Sequence, residues 1–238
     1  MFAPLLVLTL AVVQNAAPPL GGDADRLYAD RENLASAQRA AAIWEERLQA
    51  DPSSFESAWK LARAAYWLGG HVPADMQQKE YERGVEAARR AAEIAPQRPE
   101  GYFWMAANMG ALAESFGLRN GLRYRGAVKE ALETVLKLDP EFLQGSADRA
   151  LGRWYDRVPG LFGGSDTKAV EHLRRSLTYN PDSTISHFFL AEALLDMDRE
   201  DEARAELQKV LDAPLSADWA PEDREFKLKA KARLEQLD

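Results

Sequence analysis

The segment VPGLFGGSDT (158–167) is the clearest candidate for a chemical site, because three glycines precede a helix-forming run. Phosphate-binding loops of this kind carry G-x-x-x-x-G-K-[ST], with a lysine directly after the last glycine. Here Lys168 comes four residues after Gly164, and no strand-like run precedes the glycines. The segment therefore indicates an enlarged turn between two helices and not a phosphate site.

Other residues with catalytic chemistry are few and isolated. His71 follows two glycines with no second ligand nearby, and His172 and His187 fall on predicted helices. Ser165 lacks the strand–turn–helix context of a nucleophile elbow. Carboxylates are plentiful, but their spacing is what solvated helix faces give by chance. We therefore predict no enzyme, no metal site and no cofactor.

Composition narrows the function further. The 238 residues include no cysteine, which excludes disulfides, thiol catalysis and cysteine-ligated metals. The net charge is −8 and the isoelectric point is near 5.1. A sequence-independent nucleic-acid binder needs a basic face, so we expect no nucleic-acid partner.

The elements that would position any site form a repeat. Five similar segments close on Pro52, Pro96, Pro140, Pro181 and Pro214, at intervals of 44, 44, 41 and 33 residues. Small or apolar residues recur four apart before each proline: Ala40/Trp44, Gly84/Ala88, Val128/Leu132, Ala169/Leu173 and Ala203/Leu207. After the prolines come the large–small pairs Leu61-Ala62, Met105-Ala106, Leu151-Gly152 and Leu190-Ala191. Small residues at these positions let antiparallel helices approach closely, which is the pattern of the tetratricopeptide repeat of about 34 residues.

Three units are longer than this repeat, and their additional residues fall between the first and second helix. They belong to 67–78, 114–124 and 158–167. Because the units of a solenoid stack in register, the three enlarged turns are expected along one edge. We predict that segment 35–50 is a helix that caps the N-terminal end of the array. Segment 220–237 is predicted as a charged helix that closes the C-terminal end, and we call it the closing helix. We predict one all-α domain over 24–238, a tetratricopeptide-like α-solenoid of about four hairpins with enlarged turns inside the repeats and capping helices.

A groove on the concave face is the first candidate for a binding site. In such arrays the first helix of each unit lines the concave side, and residues two before and two after the large residue point into it. The groove set is Trp59, Arg63, Phe103, Arg149, Arg153 and Phe188. Arginines and aromatic rings together suit a ligand with an apolar body and an anionic head. The alternative is that the rings pack between helices and the arginines pair with Glu56, Glu100, Asp148 or Asp156.

The tips of the enlarged turns are the second candidate. They carry Trp67, Leu68, Phe116, Leu118, Leu161 and Phe162. Six apolar side chains left in water would form a patch that requires an explanation. They would form a lid over the groove, a docking edge for a partner or a second copy of the chain, or packing against their own hairpins.

The N-terminus differs from the rest. LLVLTLAVV (5–13) is too short to span a bilayer but fits the apolar region of a secretory signal peptide. No lysine or arginine precedes Arg26, so the usual basic start is missing. We assign 1–20 as a signal peptide and expect a periplasmic or secreted protein, not a lipoprotein.

GSADRALGRWYDRVPGLFGGSDTKAVEHLRRSLTYNPDS (145–183) resembles the T-component family of tripartite ATP-independent periplasmic (TRAP) transporters, and PGLFGG is its most specific part. SAWKLARAAYWLG (57–69) is similar to the regulator-of-microtubule-dynamics group. The resemblance implies a non-enzymatic periplasmic repeat protein that oligomerises, handles hydrophobic or acidic solutes, and partners the solute-binding receptor. Family members are commonly lipoproteins, and a chain without cysteine departs from that.

Two functions follow as expectations. The first is a periplasmic protein that binds an apolar acid in its groove and docks a solute-binding receptor through its turns. The second is a scaffold that binds an extended peptide. An open concave face favours the second, and turns folded over a closed cavity favour the first.

Overall fold

The structure, a computed structural model, describes residues 21–237; of residues 21, 22, 118 and 119 it describes the backbone alone. The segment assigned as a signal peptide, 1–20, lies outside the described residues. The described chain forms eleven α-helices and one 3₁₀ turn, and no strand occurs within 21–237. The helices are α1 Gly21–Ala29, α2 Leu34–Ala50, α3 Phe55–His71, α4 Ala74–Ile94, α5 Pro99–Ser115, α6 Leu118–Leu138, α7 Ser146–Arg157, α8 Asp166–Tyr179, α9 Thr184–Leu195, α10 Glu200–Asp212 and α11 Ala220–Leu237; the 3₁₀ turn is Gly160–Phe162.

Short polar side chains set where several helices begin. Asn33 caps α2 by accepting a hydrogen bond from the Ala35 amide. Ser54, Ser165 and Ser183 cap α3, α8 and α9 in the same way. A side-chain oxygen at this position satisfies an amide that has no partner inside the helix. Ser54 and Ser183 each come two residues after a repeat proline, and they thus start the first helix of the next unit.

The repeat residues occupy the helix interfaces, as predicted. All five pairs four apart are buried, from Ala40 and Trp44 to Ala203 and Leu207. Three of the four large–small pairs are also buried, and Met105 of the remaining pair is half-buried. A Cβ on Gly152 would lie 2.5 Å from Leu173 Cγ, so only glycine lets α7 and α8 pack at this distance. The all-α solenoid of stacked hairpins is confirmed.

The additional residues of the long units are mostly helical. α3 continues to His71 and α4 begins at Ala74, so most of 67–78 lengthens two helices. The same holds for 114–124, where only residues 116 and 117 separate α5 from α6. α4 and α6 reach 21 residues, against 14 in α8. An irregular enlarged turn is present only at 158–165, among the three segments.

The array bends toward its first helices. α3, α5, α7 and α9 each contact the next member of that series, while α4, α6 and α8 contact mainly the first helices. Because the first helices are the more closely packed layer, they line the concave side. At the front, α1 adds a short first helix to α2, so the predicted cap is a complete hairpin.

The closing helix α11 has a larger role than a solvated cap. It packs against α9 and α10, and Phe226 contacts Phe188 and Phe189 with ring centroids 5.4 and 5.7 Å apart. Its first turns reach the opposite end of the array, where Glu222 pairs with Arg31. None of the helices between 21 and 237 is both long and apolar enough to cross a membrane.

Candidate ligand site on the concave face

Arg63 is held by the first hairpin. Its guanidinium lies over the rings of Tyr28, Trp59 and Trp44, with 4.1, 5.0 and 5.8 Å to the ring centroids. Asp25 approaches to 3.9 Å. Burial lowers the pKa of Arg63, and Tyr28 and Asp25 act in the opposite direction. The side chain joins α3 to α1 and α2, and its carboxylate neighbour is Asp25, which is not one of the four carboxylates expected as partners.

Arg153 is also engaged within the protein. It donates two hydrogen bonds to Glu114 at 3.3 and 3.0 Å and lies 3.5 Å from Asp156. Its guanidinium covers the ring of Phe189 at 4.9 Å. These contacts link α5, α7 and α9 and leave little of the cation for a ligand.

Arg149 differs from both. Its side chain is half-buried, and it has neither an ion pair nor a side-chain hydrogen bond among the described residues. Burial lowers the pKa of its guanidinium to about 10, and the Tyr66 phenol acts in the opposite direction. Of the three arginines predicted for the groove, Arg149 is the one whose charge lacks a partner within 21–237.

Tyr66 was not predicted and belongs to this face. Its exposed fraction is 42%, yet burial raises its pKa, with Tyr81 and Glu114 contributing. Its ring centroid lies 5.9 Å from that of Trp104 on α5 and 6.3 Å from that of Tyr81 on α4. Tyr66 follows Trp59 and Arg63 at seven and three residues, so the helical spacing 59, 63, 66 would have identified it.

A cavity of about 230 Å³ lies next to Arg149. The start of α7, the start of α9 and the segment between α10 and α11 enclose it. Its lining includes Gln144, Asn180, Thr184 and Trp219. Asp223 is also present, but both of its oxygens accept hydrogen bonds, from Thr184 Oγ1 at 2.6 Å and the Ser216 amide at 2.7 Å. The lining therefore mixes polar and apolar side chains, among them Leu143 and Ile185. It carries one cation, Arg149, and a second carboxylate, the exposed Asp182, which makes no ion pair with Arg149.

The three predicted groove aromatics have different surroundings. Phe103 is buried and meets Phe142 edge to face at 5.6 Å, so it is a core residue. Trp59 is half-buried beside Arg63. Phe188 is half-buried under Phe226 of α11. The structure thus brings Trp59 and Arg63 together, and it covers Phe188 with the closing helix.

Trp67 and Leu68 require a correction. The sequence predicts them at the tip of a turn, but they lie inside α3 and are 6% and 1% exposed. The Trp67 indole donates to the Arg31 carbonyl at 2.9 Å and stacks on His71 at 3.8 Å. These residues fail as a lid because α3 continues past them and buries them.

Phe116 and Leu118 lie at the junction of α5 and α6. Phe116 is half-buried and meets Tyr81 edge to face at 6.4 Å. The side chain of Leu118 lies outside the described part of the chain. Phe116 therefore packs against its neighbouring unit.

The turn 158–165 presents the exposed apolar residues. Leu161 is 90% exposed and Phe162 is 39% exposed, with the Arg125 guanidinium 5.1 Å from the Phe162 ring centroid. The turn is rigidly built, since Ser165 donates its amide to the Tyr155 carbonyl at 2.9 Å. A Cβ on Gly164 would overlap the Val158 carbonyl oxygen. The turn therefore needs glycine for its close backbone packing.

Each histidine contacts a carboxylate on another helix. His71, His172 and His187 contact Glu225, Asp148 and Glu206 at 2.5, 2.6 and 2.5 Å. No group of three metal-ligating side chains occurs in the described residues. Each histidine therefore joins two helices or two segments of the array.

Solved structures with this fold are tetratricopeptide proteins. TTC0263 from Thermus thermophilus, a thermophilic tetratricopeptide protein, has a TM-score of 0.66 at 23% identity, covering 89% of this chain and 95% of its own. PilF from Pseudomonas aeruginosa has a TM-score of 0.53 at 16% identity, with coverages of 90% and 91%. A MamA RS-1 double mutant has a TM-score of 0.52 at 17% identity, covering 82% of this chain and 96% of its own. At these identities the likeness establishes the fold.

A comparison with curated protein sequences finds no significant match. Two family models do match. The model for regulator of microtubule dynamics protein 1-3 matches residues 21–161, and the model for the TRAP transporter T-component matches residues 100–237. Each covers more than half of the chain, and the second includes Arg149 and the turn 158–165. The chain belongs to the TRAP transporter T-component family, and its N-terminal part shares the repeat of the regulator of microtubule dynamics family.

Proposed function

We propose that the protein is a non-enzymatic periplasmic T component that binds an acidic solute with an apolar body on its concave face. Arg149 receives the carboxylate of the solute, and Leu143, Ile185 and Trp219 of the adjoining cavity supply apolar walls. The exposed turn 158–165 docks the solute-binding receptor of a TRAP transporter. The unpaired cation at Arg149 is the observation that carries the proposal.

A half-buried guanidinium without an anion is unfavourable. Removing a cation from water costs free energy unless an opposite charge or hydrogen bonds replace the lost hydration. Arg63 and Arg153 avoid this cost through aromatic rings and carboxylates, and Arg149 does not. A carboxylate ligand would form bidentate hydrogen bonds with the planar guanidinium.

The turns do not fold over a closed cavity, since Trp67 and Leu68 are buried in α3 and Leu161 is exposed, so the turns themselves do not favour a solute. The position of α11 does favour a solute over an extended peptide. Phe188 and Glu192 are concave-face residues of α9, and α11 contacts both through Phe226 and Arg233. A peptide lying along the whole groove would have to displace this helix. A small solute near Arg149 would not.

The receptor contact rests on the exposed pair Leu161 and Phe162. Exposed apolar side chains on a rigid turn suit a protein interface, because little order has to be imposed on binding. We expect Leu161→Ser with Phe162→Ser to weaken binding of a purified TRAP solute-binding receptor, measured by biolayer interferometry. Leu228→Ser, at a 70% exposed site on α11, is the matched control. Equal binding by all three proteins would remove the turn from the proposal.

Binding of decanoate by isothermal titration calorimetry tests the solute site. Decanoate presents a carboxylate on an apolar chain, and decanol presents the same chain without the charge. We expect Arg149→Met to weaken decanoate binding about 10- to 100-fold, the range for hydrogen bonds to a charged group. Arg149→Lys should retain part of the decanoate affinity that Arg149→Met loses.

Arg39→Met is the control for loss of one positive charge. Arg39 lies on α2 with 60% of its side chain exposed, and its only ion pair in the described chain is to Glu46 at 3.9 Å. We expect this variant to bind decanoate as the wild type does. Equal affinity for decanoate and decanol, or an equal loss in Arg39→Met, would refute carboxylate recognition by Arg149.

A further inference from the structure

The two ends of the array meet. Units of a solenoid contact their neighbours in sequence, but Arg31 bonds Glu222, 191 positions later. Nε and Nη2 of Arg31 donate to the two carboxylate oxygens at 3.1 and 2.5 Å, and Nη2 also donates to the Asp218 carbonyl at 2.8 Å. The guanidinium is 4% exposed and lies 5.0 and 5.2 Å from the ring centroids of Tyr28 and Trp67. Arg31, between α1 and α2, thus holds one carboxylate of α11.

Two further ion pairs flank this one. Arg224 donates to Glu32 at 3.0 and 2.5 Å, and His71 contacts Glu225 at 2.5 Å. Both pairs are substantially exposed, with side-chain exposures of 47% and 52%, and of 31% and 37%. We call these three pairs the clasp; it joins α11 to the first units through charged side chains.

The contact of α11 with the last hairpin is different in kind. Phe226 packs against Phe188 and Phe189. Lys227 Nζ donates to the Leu211 and Ala213 carbonyls at 2.6 and 2.5 Å, which satisfies the end of α10. Salt screens the exposed pairs Arg224–Glu32 and His71–Glu225 strongly and the buried pair Arg31–Glu222 much less, and it does not weaken apolar packing. The clasp is therefore the side of α11 that can release while α11 stays with α9 and α10.

The clasp lies at the edge of the concave space. His71, at the end of α3, contacts Glu225 at 2.5 Å, and the Arg31 guanidinium lies 5.2 Å from the ring centroid of Trp67 on the same helix. Because α3 is one of the first helices, the clasp lies against the layer that lines the concave face.

We propose that the array is a closed ring that opens and shuts at the clasp, so that the clasp controls access to the concave face. In the shut state α11 bridges the last hairpin and the first. In the open state the two ends separate by bending of the stacked units, and α11 moves with the last hairpin. The inference does not depend on any solute, because it concerns the distance between the ends.

Pulsed electron–electron resonance on the full chain measures that distance. The sequence has no cysteine, so spin labels attach only where cysteines are introduced. We choose Ala29→Cys on α1 and Leu228→Cys on α11, because both positions are exposed. We expect one narrow distance distribution in 0.1 M salt. Glu32→Arg and Glu222→Gln should each give a longer mean distance and a broader distribution. Adding salt to 1 M should lengthen the mean distance as well, because it screens the two exposed pairs.

The charge swap decides between clasp release and local damage. Glu32→Arg combined with Arg224→Glu should restore the narrow distribution, because the pair is re-formed with the charges exchanged. Glu86→Arg is the matched control, since it makes the same charge change in an exposed pair with Arg89 inside α4. If Glu222→Gln has a weaker helical circular dichroism signal than the wild type, it is misfolded. The test then rests on the surface variant Glu32→Arg and on its charge swap with Arg224→Glu. Unchanged distances in Glu32→Arg, a swap that does not restore the distribution, or an equal shift in Glu86→Arg would overturn the proposal.

Discussion

Replacing Asp156 by asparagine should remove a pH-dependent loss of stability. The Asp156 side chain is 2% exposed, and its Oδ2 lies 3.1 Å from Arg157 Nε and 3.5 Å from Arg153 Nη1. Neither carboxylate oxygen accepts a hydrogen bond from the described residues. Burial raises the pKa of Asp156 to about 6; Arg157 and Arg153 lower it in part, and Asp196 and Glu192 raise it further.

The sign of the effect follows from proton binding. Between pH 4 and 6 the folded protein retains a proton on Asp156 that the unfolded chain releases, so the free energy of unfolding falls as the pH rises. The pKa difference, from 3.8 to about 6, corresponds to at most about 3 kcal/mol at 1.36 kcal/mol per pH unit. Asp156→Asn does not titrate and should lack this loss.

Urea unfolding of the wild type and of Asp156→Asn at pH 4, 5, 6 and 7 measures the effect. We expect the stability of the wild type, relative to the variant, to fall by about 1–3 kcal/mol over this range. Glu171→Gln, at an exposed site on α8, controls for loss of one carboxylate. A wild-type-to-variant difference that stays constant with pH would refute the description of Asp156 as an unfavourably buried carboxylate.

Two further predictions concern the turn and the clasp. Gly164→Ala should lower the free energy of unfolding by about 2 kcal/mol or more, because its Cβ would overlap the Val158 carbonyl; Gly160→Ala, where a Cβ meets open space, should cost much less, and equal thermal melting of the two would contradict the reasoning. His71 is desolvated, which lowers its pKa, but its bonds to Glu225 and the Trp67 carbonyl prevail and the pKa is raised. Its contribution to stability is therefore complete below about pH 6.5 and is lost as the pH rises through the folded-state pKa. The free energy of unfolding of the wild type should exceed that of His71→Gln by more at pH 6 than at pH 8. A larger excess at pH 8 would contradict a raised pKa of His71.

The fold was predictable because its signals are local and repeated. The closing prolines and the pairs four apart recur five times and the large–small pairs four times. Each residue pair lies at an interface between adjacent helices. Gly152 illustrates this, since its missing side chain is what brings α7 and α8 together. Such positions can be identified in one sequence without knowing how the whole array curves.

Loop insertions and helix extensions could not be told apart in the same way. WLGGHVPADMQQ contains glycines and a proline and predicts a turn, but only Val72 and Pro73 separate α3 from α4. Gly69 lies inside α3, and the Tyr81 ring occupies the space that a side chain at this position would take, so glycine lets α4 pack against α3. Tertiary packing of this kind overrides the turn propensity of the segment.

The binding site was predictable only as a set of residue types. Spacing placed Arg63, Arg149 and Arg153 on the first helices, but the partners that distinguish them come from elsewhere in the chain. Tyr28 lies 35 residues before Arg63, and Glu114 lies 39 residues before Arg153. The pairing of Arg31 with Glu222 depends on the curvature of all the units between them, which no local pattern records.

The contact between Arg31 and Glu222 also limits how this family member can evolve in length. An open-ended stack of hairpins can gain or lose a unit by gene duplication or deletion, since each new hairpin needs only a neighbour. Here one inserted hairpin would carry Glu222 away from Arg31 and leave a buried guanidinium without its carboxylate. The number of hairpins is therefore set by the circumference at which head and tail coincide, and size variation should be confined to helix lengths and to turns such as 158–165.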